Sequence, residues 1–120
     1  MNRSKTLFID IDGTLFHHSG DRTNMCSTLV MPLVLPGVKD KFNEWDRKGY
    51  CIILTTGRKE GDREVTKKQL SYHGIPYDQL VMGITGGERV LINDTKPDSL
   101  ESTARAFTLP RNEGIGSLDI

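Results

Sequence analysis

Thr6-Leu-Phe-Ile-Asp-Ile11 is the segment that most limits the architectures open to this chain. It is β-branched and apolar on both faces, then stops at Asp12-Gly13. Such a run reads as a buried strand ending in a turn, the pattern of a central strand in a parallel sheet. Tyr50–Thr55 repeats the plan and ends at Thr56-Gly57-Arg58. Gln79–Met82 reads as a short third strand, Val90-Leu-Ile92 as a fourth running into Asn93-Asp94, and Ala104–Leu109 as a weaker fifth.

Between the strands lie helical patterns. Pro36-Gly37 opens a helix whose apolar stripe is Val38, Phe42 and Trp45, with Gly49 as its stop. A second helix is predicted from about Asp62 to His73, ended by Gly74 with Pro76 beyond, and with Glu64 and Lys68 as a favourable i, i+4 pair. His73 is placed to interact with that helix's C-terminus. Phe16–Leu35 is irregular and reads as a hairpin or flap. Strands alternating with helices imply an α/β fold: a mostly parallel five-stranded sheet with helices on both faces, three layers in all. No repeat or linker divides the chain, so residues 1–120 are expected to form a single domain.

Several classes fall away on composition. The chain has 120 residues with 16 basic against 16 acidic side chains. A balanced charge argues against long nucleic acid as a partner. The apolar runs, Thr28–Leu35 among them, are far shorter than the ~20 residues of a membrane span. Asp10 interrupts the apolar stretch that a signal peptide needs, so a cytoplasmic location is expected. Cys26 and Cys51 make neither a disulfide framework nor a zinc spacing.

Asp10/Asp12, Thr56/Arg58 and Asp94 all fall at the C-terminal ends of predicted strands, the edge where open parallel sheets bind ligands. A carboxylate in an apolar strand is costly to bury alone, so Asp10 needs a metal or a cationic partner. Three oxygen donors without histidine favour a hard, octahedral ion such as Mg2+. Thr56 and the Gly57 amide are placed to hydrogen-bond phosphate oxygens, with Arg58 adding charge.

Phe8-Ile-Asp-Ile-Asp-Gly-Thr-Leu15 resembles the first motif of the haloacid dehalogenase (HAD) superfamily in its phosphohydrolase form. Ile52-Ile-Leu-Thr-Thr-Gly-Arg58 resembles the second motif, and Leu91-Ile-Asn-Asp94, followed by Asp98, the acidic fourth. The resemblance implies a Rossmann-like fold and a Mg2+-dependent phosphatase. In it Asp10 attacks a phosphate ester to give an aspartyl-phosphate, and Asp12 transfers the proton to the leaving oxygen and then activates water. It implies metal held by Asp10, the Asp12 backbone carbonyl and Asp94, with Asp98 behind them.

Two departures qualify the match. The lysine of the third motif is missing between Gly74 and Asp94, where Arg89 is the only basic residue. Arg89 is therefore the expected substitute, ahead of Lys67, Lys68 and Lys96, and Gly83–Gly87 reads as the turn that positions it. No segment long enough for a cap domain is present, so the chain resembles the capless type, such as small phosphatases of sugar-acid and capsule-polysaccharide synthesis. A small phosphorylated sugar or sugar acid is the expected substrate, and a homo-oligomer the expected means of covering the site. The alternatives are a polynucleotide end phosphatase, a receiver-like domain phosphorylated on Asp, and a non-catalytic interaction module.

Overall fold

A computed structural model of the protein describes residues 4–27 and 29–120, so Thr28, the head of the run Thr28–Leu35, lies outside the described residues. The elements run β1 (Thr6–Asp10), α1 (Arg22–Met25), α2 (Val38–Arg47), β2 (Cys51–Thr55), a 3-10 turn (Glu60–Asp62), α3 (Arg63–Tyr72) and β3 (Gln79–Val81). The three strands form one parallel sheet in the order β1-β2-β3.

Register explains which side chains enter the core. Leu7 pairs with Ile52, Ile9 with Leu54, and Leu54 with Leu80. Paired residues of a parallel sheet point to the same face, so these five line one side. Helix α2 brings Val38, Phe42 and Trp45 to the same core, as its stripe predicts, and α3 brings Leu70. Arg63 anchors the start of α3 to the sheet by donating to the Leu80 carbonyl at 3.1 Å. On the outer face of α3, Glu64 pairs with Lys67 at 3.8 Å, one residue short of the expected partner Lys68.

The predicted segment Phe16–Leu35 is a flap closed at its base. Phe16 bridges to Val34, and the His17 N–H donates to the Leu33 carbonyl at 2.9 Å. Its middle is the short helix α1. The His73 ring reaches the flap: its Nε2 lies 2.8 Å from the Pro32 carbonyl, and the ring packs on Phe16.

Three expectations about the sheet are not met among the described residues. Among the described residues it has three strands and not five: Val90–Ile92 and Ala104–Leu109 form no ladder. With no strand beyond it, β1 is an edge and not the centre, and Phe8 on its second face is 58% exposed. Helices therefore cover one face, while the other shows Phe8 and Val81 to solvent. The stretch from Thr85 to Thr103 is exposed throughout, and the molecule is 51 Å long but 29 × 25 Å across. The radius of gyration is 15.1 Å, against about 13.6 Å for a compact chain of this length. Among the described residues, no helix is long and apolar enough to cross a membrane.

Candidate active site

Where β1 ends, the chain turns back around a single acceptor. The Ile11 carbonyl receives the N–H groups of Thr14, Leu15 and Phe16 at 3.2, 2.8 and 3.1 Å, and the Gly13 N–H donates to the Phe16 carbonyl at 2.7 Å. Gly13 sits at φ 89°, a conformation that side-chain-bearing residues avoid. The turn separates the two carboxylates. Asp10 stays at the exposed end of the strand, and Asp12 turns inward.

Asp10 accepts from the Thr14 hydroxyl at 3.4 Å. Partial burial of its carboxyl pushes its pKa above the ordinary carboxylate value. The Ile11 N–H opposes that rise, the Asp12 charge adds to it, and the Arg89 charge works against it. Asp10 is thus a carboxylate with few committed partners, a requirement for a nucleophile.

Asp12 and Arg58 form a buried ion pair. Arg58 Nε donates to Asp12 Oδ2 and Arg58 Nη2 to Asp12 Oδ1, both at 2.8 Å. The remaining donors are also engaged: Nη1 bonds Thr66 Oγ1 at 2.9 Å and Gln69 Oε1 at 2.6 Å, and Nη2 bonds the Met25 carbonyl at 3.4 Å. Burial works against the guanidinium's charge, but the Asp12 bonds and charge outweigh it and raise the Arg58 pKa. The expected phosphate contact at Arg58 is replaced by this arrangement, because a guanidinium has five N–H donors and all are directed into the protein. In this geometry Asp12 is an acceptor whose position is set by Arg58.

The other expected residues divide. Thr56 is buried, with its hydroxyl oxygen accepting the Arg58 N–H at 3.1 Å, so it fastens the turn after β2. Gly57 is exposed beside it, and among the described residues its amide has no acceptor. Arg89 is held by the Gly83–Gly87 turn, as expected, through the Thr85 carbonyl at 2.7 Å and the Gly87 carbonyl at 2.5 Å. Its charge reaches Asp10, whereas Lys67 pairs with Glu64 and Lys68 is exposed on α3.

Asp94 is not brought into a metal site. It is exposed, with Lys96 Nζ 3.9 Å from its Oδ1, and Asp98 is exposed as well. Among the described residues, no three His, Cys, Asp or Glu side chains form a group able to hold a metal ion. Asp12 has both carboxylate oxygens on Arg58 and Asp94 stands apart, so this arrangement does not gather the expected Mg2+ donors, and no step below runs through the ion.

Sequence reasoning missed Thr66, Gln69 and the Met25 carbonyl. The first two had a legible signal, since Thr66, Gln69 and Leu70 share one helical stripe, and polar groups at core-facing positions demand a partner. Gln69 also donates to the Met25 carbonyl at 2.9 Å, tying the flap to α3. Cys26, the residue after α1, is a free thiol whose pKa is raised by burial.

No family model matches the chain, and no curated protein matches it. Solved structures do resemble it. A chain of a Pnkp1/Rnl/Hen1 complex is 31% identical with a TM-score of 0.58, over 72% of this chain and 30% of that one. A second structure, of the Pnkp1/Rnl/Hen1 RNA repair complex, gives 31% identity and a TM-score of 0.57, over 72% of this chain and 27% of that one. This chain therefore spans about 30% of the length of those it matches. A structural-genomics target from Vibrio cholerae shares the fold at 21% identity and a TM-score of 0.52, over 74% of this chain and 79% of that one. The parallel sheet with its helices is compatible with a Rossmann-like fold.

Two outcomes follow from the site. Arg58→Met leaves the inward-facing Asp12 without its cation, and the loss expected is about 3–5 kcal/mol. Urea denaturation of Arg58→Met, Asp12→Asn and the double variant measures it; strict additivity of the single losses would show that the pair is not coupled. For Asp10, the folded state binds the proton more tightly than the unfolded chain. Its contribution is full below the ordinary Asp pKa and is lost as pH rises through the raised folded value. Asp10→Asn should therefore melt higher than wild type at pH 7, with the difference vanishing in acid; a lower melting temperature at neutral pH would contradict this account of Asp10.

Proposed function

We propose that this protein is a HAD-like phosphomonoester hydrolase in which Asp10 is the nucleophile. One observation carries the reading: an accessible carboxylate at the end of a parallel strand, under the influence of Arg89, next to an Asp12 fixed by Arg58. An Asp10 oxygen forms a bond to phosphorus as the ester P–O bond breaks and the leaving oxygen takes a proton. Water then cleaves the aspartyl-phosphate, releasing phosphate and restoring the carboxylate. Asp12 is the group assigned to proton transfer: Arg58 sets where it rests, and once released from that contact and protonated it gives the proton to the leaving oxygen, then takes one from the water that attacks the aspartyl-phosphate. The Gly57 amide and the Arg89 guanidinium are assigned to the phosphoryl oxygens.

For the substrate, the likeness to chains of an RNA repair complex supports a terminal phosphate on a polynucleotide. A rim left open among the described residues suits the end of a polymer. A second reading, a small sugar or sugar-acid phosphate with a second copy of the chain as lid, is favoured by the balance of 16 basic and 16 acidic residues.

The five-stranded sheet and Mg2+ belong to the same proposal. Val90–Ile92 is an apolar run left exposed, and β1 has an unpaired edge among the described residues. Pairing the two would bury the run and move Asp94, two residues beyond it, to the strand-end rim.

Phosphate release decides among these readings, measured with and without Mg2+ on oligoribonucleotides carrying a terminal phosphate and on a panel of sugar and sugar-acid phosphates. The proposal expects Mg2+-dependent release, with kcat/KM at least about tenfold higher on the oligonucleotides. It also expects a loss on the order of 10³-fold or more in Asp10→Asn. Preference for sugar phosphates would establish the second reading. Equal inactivity of folded wild type and Asp10→Asn on every substrate would leave the interaction module.

A further inference from the structure

The chemistry proposed above draws on the strand-end rim alone, yet the C-terminal stretch is built onto the nucleophile's loop. The Asn112 N–H donates to the Gly13 carbonyl at 2.9 Å. Its side-chain amide clamps His18 from both sides, with Oδ1 accepting the His18 N–H at 2.7 Å and Nδ2 donating to the His18 carbonyl at 3.0 Å. Asn112 holds φ 65°, a region that asparagine tolerates better than most side chains. Farther on, the Ile115 N–H donates to the Pro36 carbonyl at 3.1 Å, and its side chain is buried in the core. Gly114, at φ 89°, lies so close to Pro36 that a β-carbon would collide with the Pro36 carbonyl oxygen.

These fastenings fix the residue just before the clamp. Arg111 lies across Gly13: a β-carbon placed on that glycine would stand 3.2 Å from Arg111 Cγ and 3.6 Å from its Nε. Gly13 directly follows Asp12. Arg111 is exposed, and among the described residues its guanidinium has neither a hydrogen bond nor an ion pair. Arg58 has all its donors committed and Arg89 holds two carbonyls, so Arg111 is the arginine at this rim with its fork fully available. Arg89 is the cation whose charge acts on Asp10, whereas Arg111 lies against the turn that follows Asp12.

We propose that Arg111 is a specificity residue that binds a second anionic group of the substrate, next to the phosphate attacked by Asp10; this rests on the phosphatase reading above. A guanidinium fork takes two oxygens of such a group at once. On a polynucleotide the group is the neighbouring phosphodiester, and on a sugar acid it is the carboxylate.

Steady-state kinetics of wild type, Arg111→Ala and Arg111→Lys test this on three substrates: a terminally phosphorylated oligonucleotide, a phosphorylated sugar acid and an aryl phosphate with one anionic group. Selectivity for a two-anion substrate over the aryl phosphate should fall about tenfold in Arg111→Ala. The loss should appear in KM and be partly recovered in Arg111→Lys. The arm that responds identifies the anion. Equal losses on one-anion and two-anion substrates, or no loss, would overturn the proposal. If wild type hydrolyses nothing, the phosphatase reading fails by itself, and calorimetric titration with the oligonucleotide and the sugar-acid phosphate still decides. Binding weaker by about tenfold in Arg111→Ala supports the assignment, and equal binding overturns it. Matching melting temperatures for the variants and wild type establish that they are folded.

Discussion

A guanidinium inside a protein must find an acceptor for each of its N–H groups, and Arg58 finds them in four residues from three parts of the chain. Asp12 supplies two oxygens from the loop after β1, Thr66 and Gln69 one each from α3, and Met25 a carbonyl from the flap. An ion pair of this kind is weak evidence for net stability, because desolvation offsets much of the attraction. Its effect here is geometric. Displacing α3, the flap or the first loop leaves a buried donor or acceptor unmatched, so the position of Asp12 is set by three separate elements at once.

This constraint accounts for features that the hydrophobic pattern leaves unexplained. Thr66 and Gln69 occupy the inward stripe of α3, where apolar side chains are the rule, because Arg58 arrives there. The flap is irregular over most of its length, yet it is tethered by the Met25 carbonyl to both Arg58 and Gln69. Asp10 lies outside the network. The end of β1 and the turn after it thus yield one carboxylate free to react and one held in place, the division of labour that a nucleophile and a proton-transfer group need.

Strands and helices set by period were legible in the sequence. The stripe Val38, Phe42 and Trp45 is buried as its spacing implies, and the runs before Asp12 and Thr56 became adjacent parallel strands. What failed was inference from an apolar run alone. Phe8 and Val90–Ile92 are as apolar as Leu54, but burial requires a partner surface, and whether one forms is decided by contacts distant in sequence. Arg58 failed for a related reason. An arginine at a strand end suits a phosphate or an internal carboxylate equally well, and only the packing of α3 against the loop selects between them. The fastening of Asn112 to Gly13 and His18, across a separation of more than ninety residues, had no local signal at all.

The central claim is that Asp10 becomes phosphorylated during turnover. Intact-mass and peptide mass spectrometry of protein quenched in acid, after brief incubation with a phosphate ester that it hydrolyses, tests this most directly. The account predicts one added phosphoryl group, on the peptide containing Asp10, removed by hydroxylamine and absent from Asp10→Asn. Turnover with the phosphoryl group on another residue, or undiminished turnover by Asp10→Asn, would contradict it.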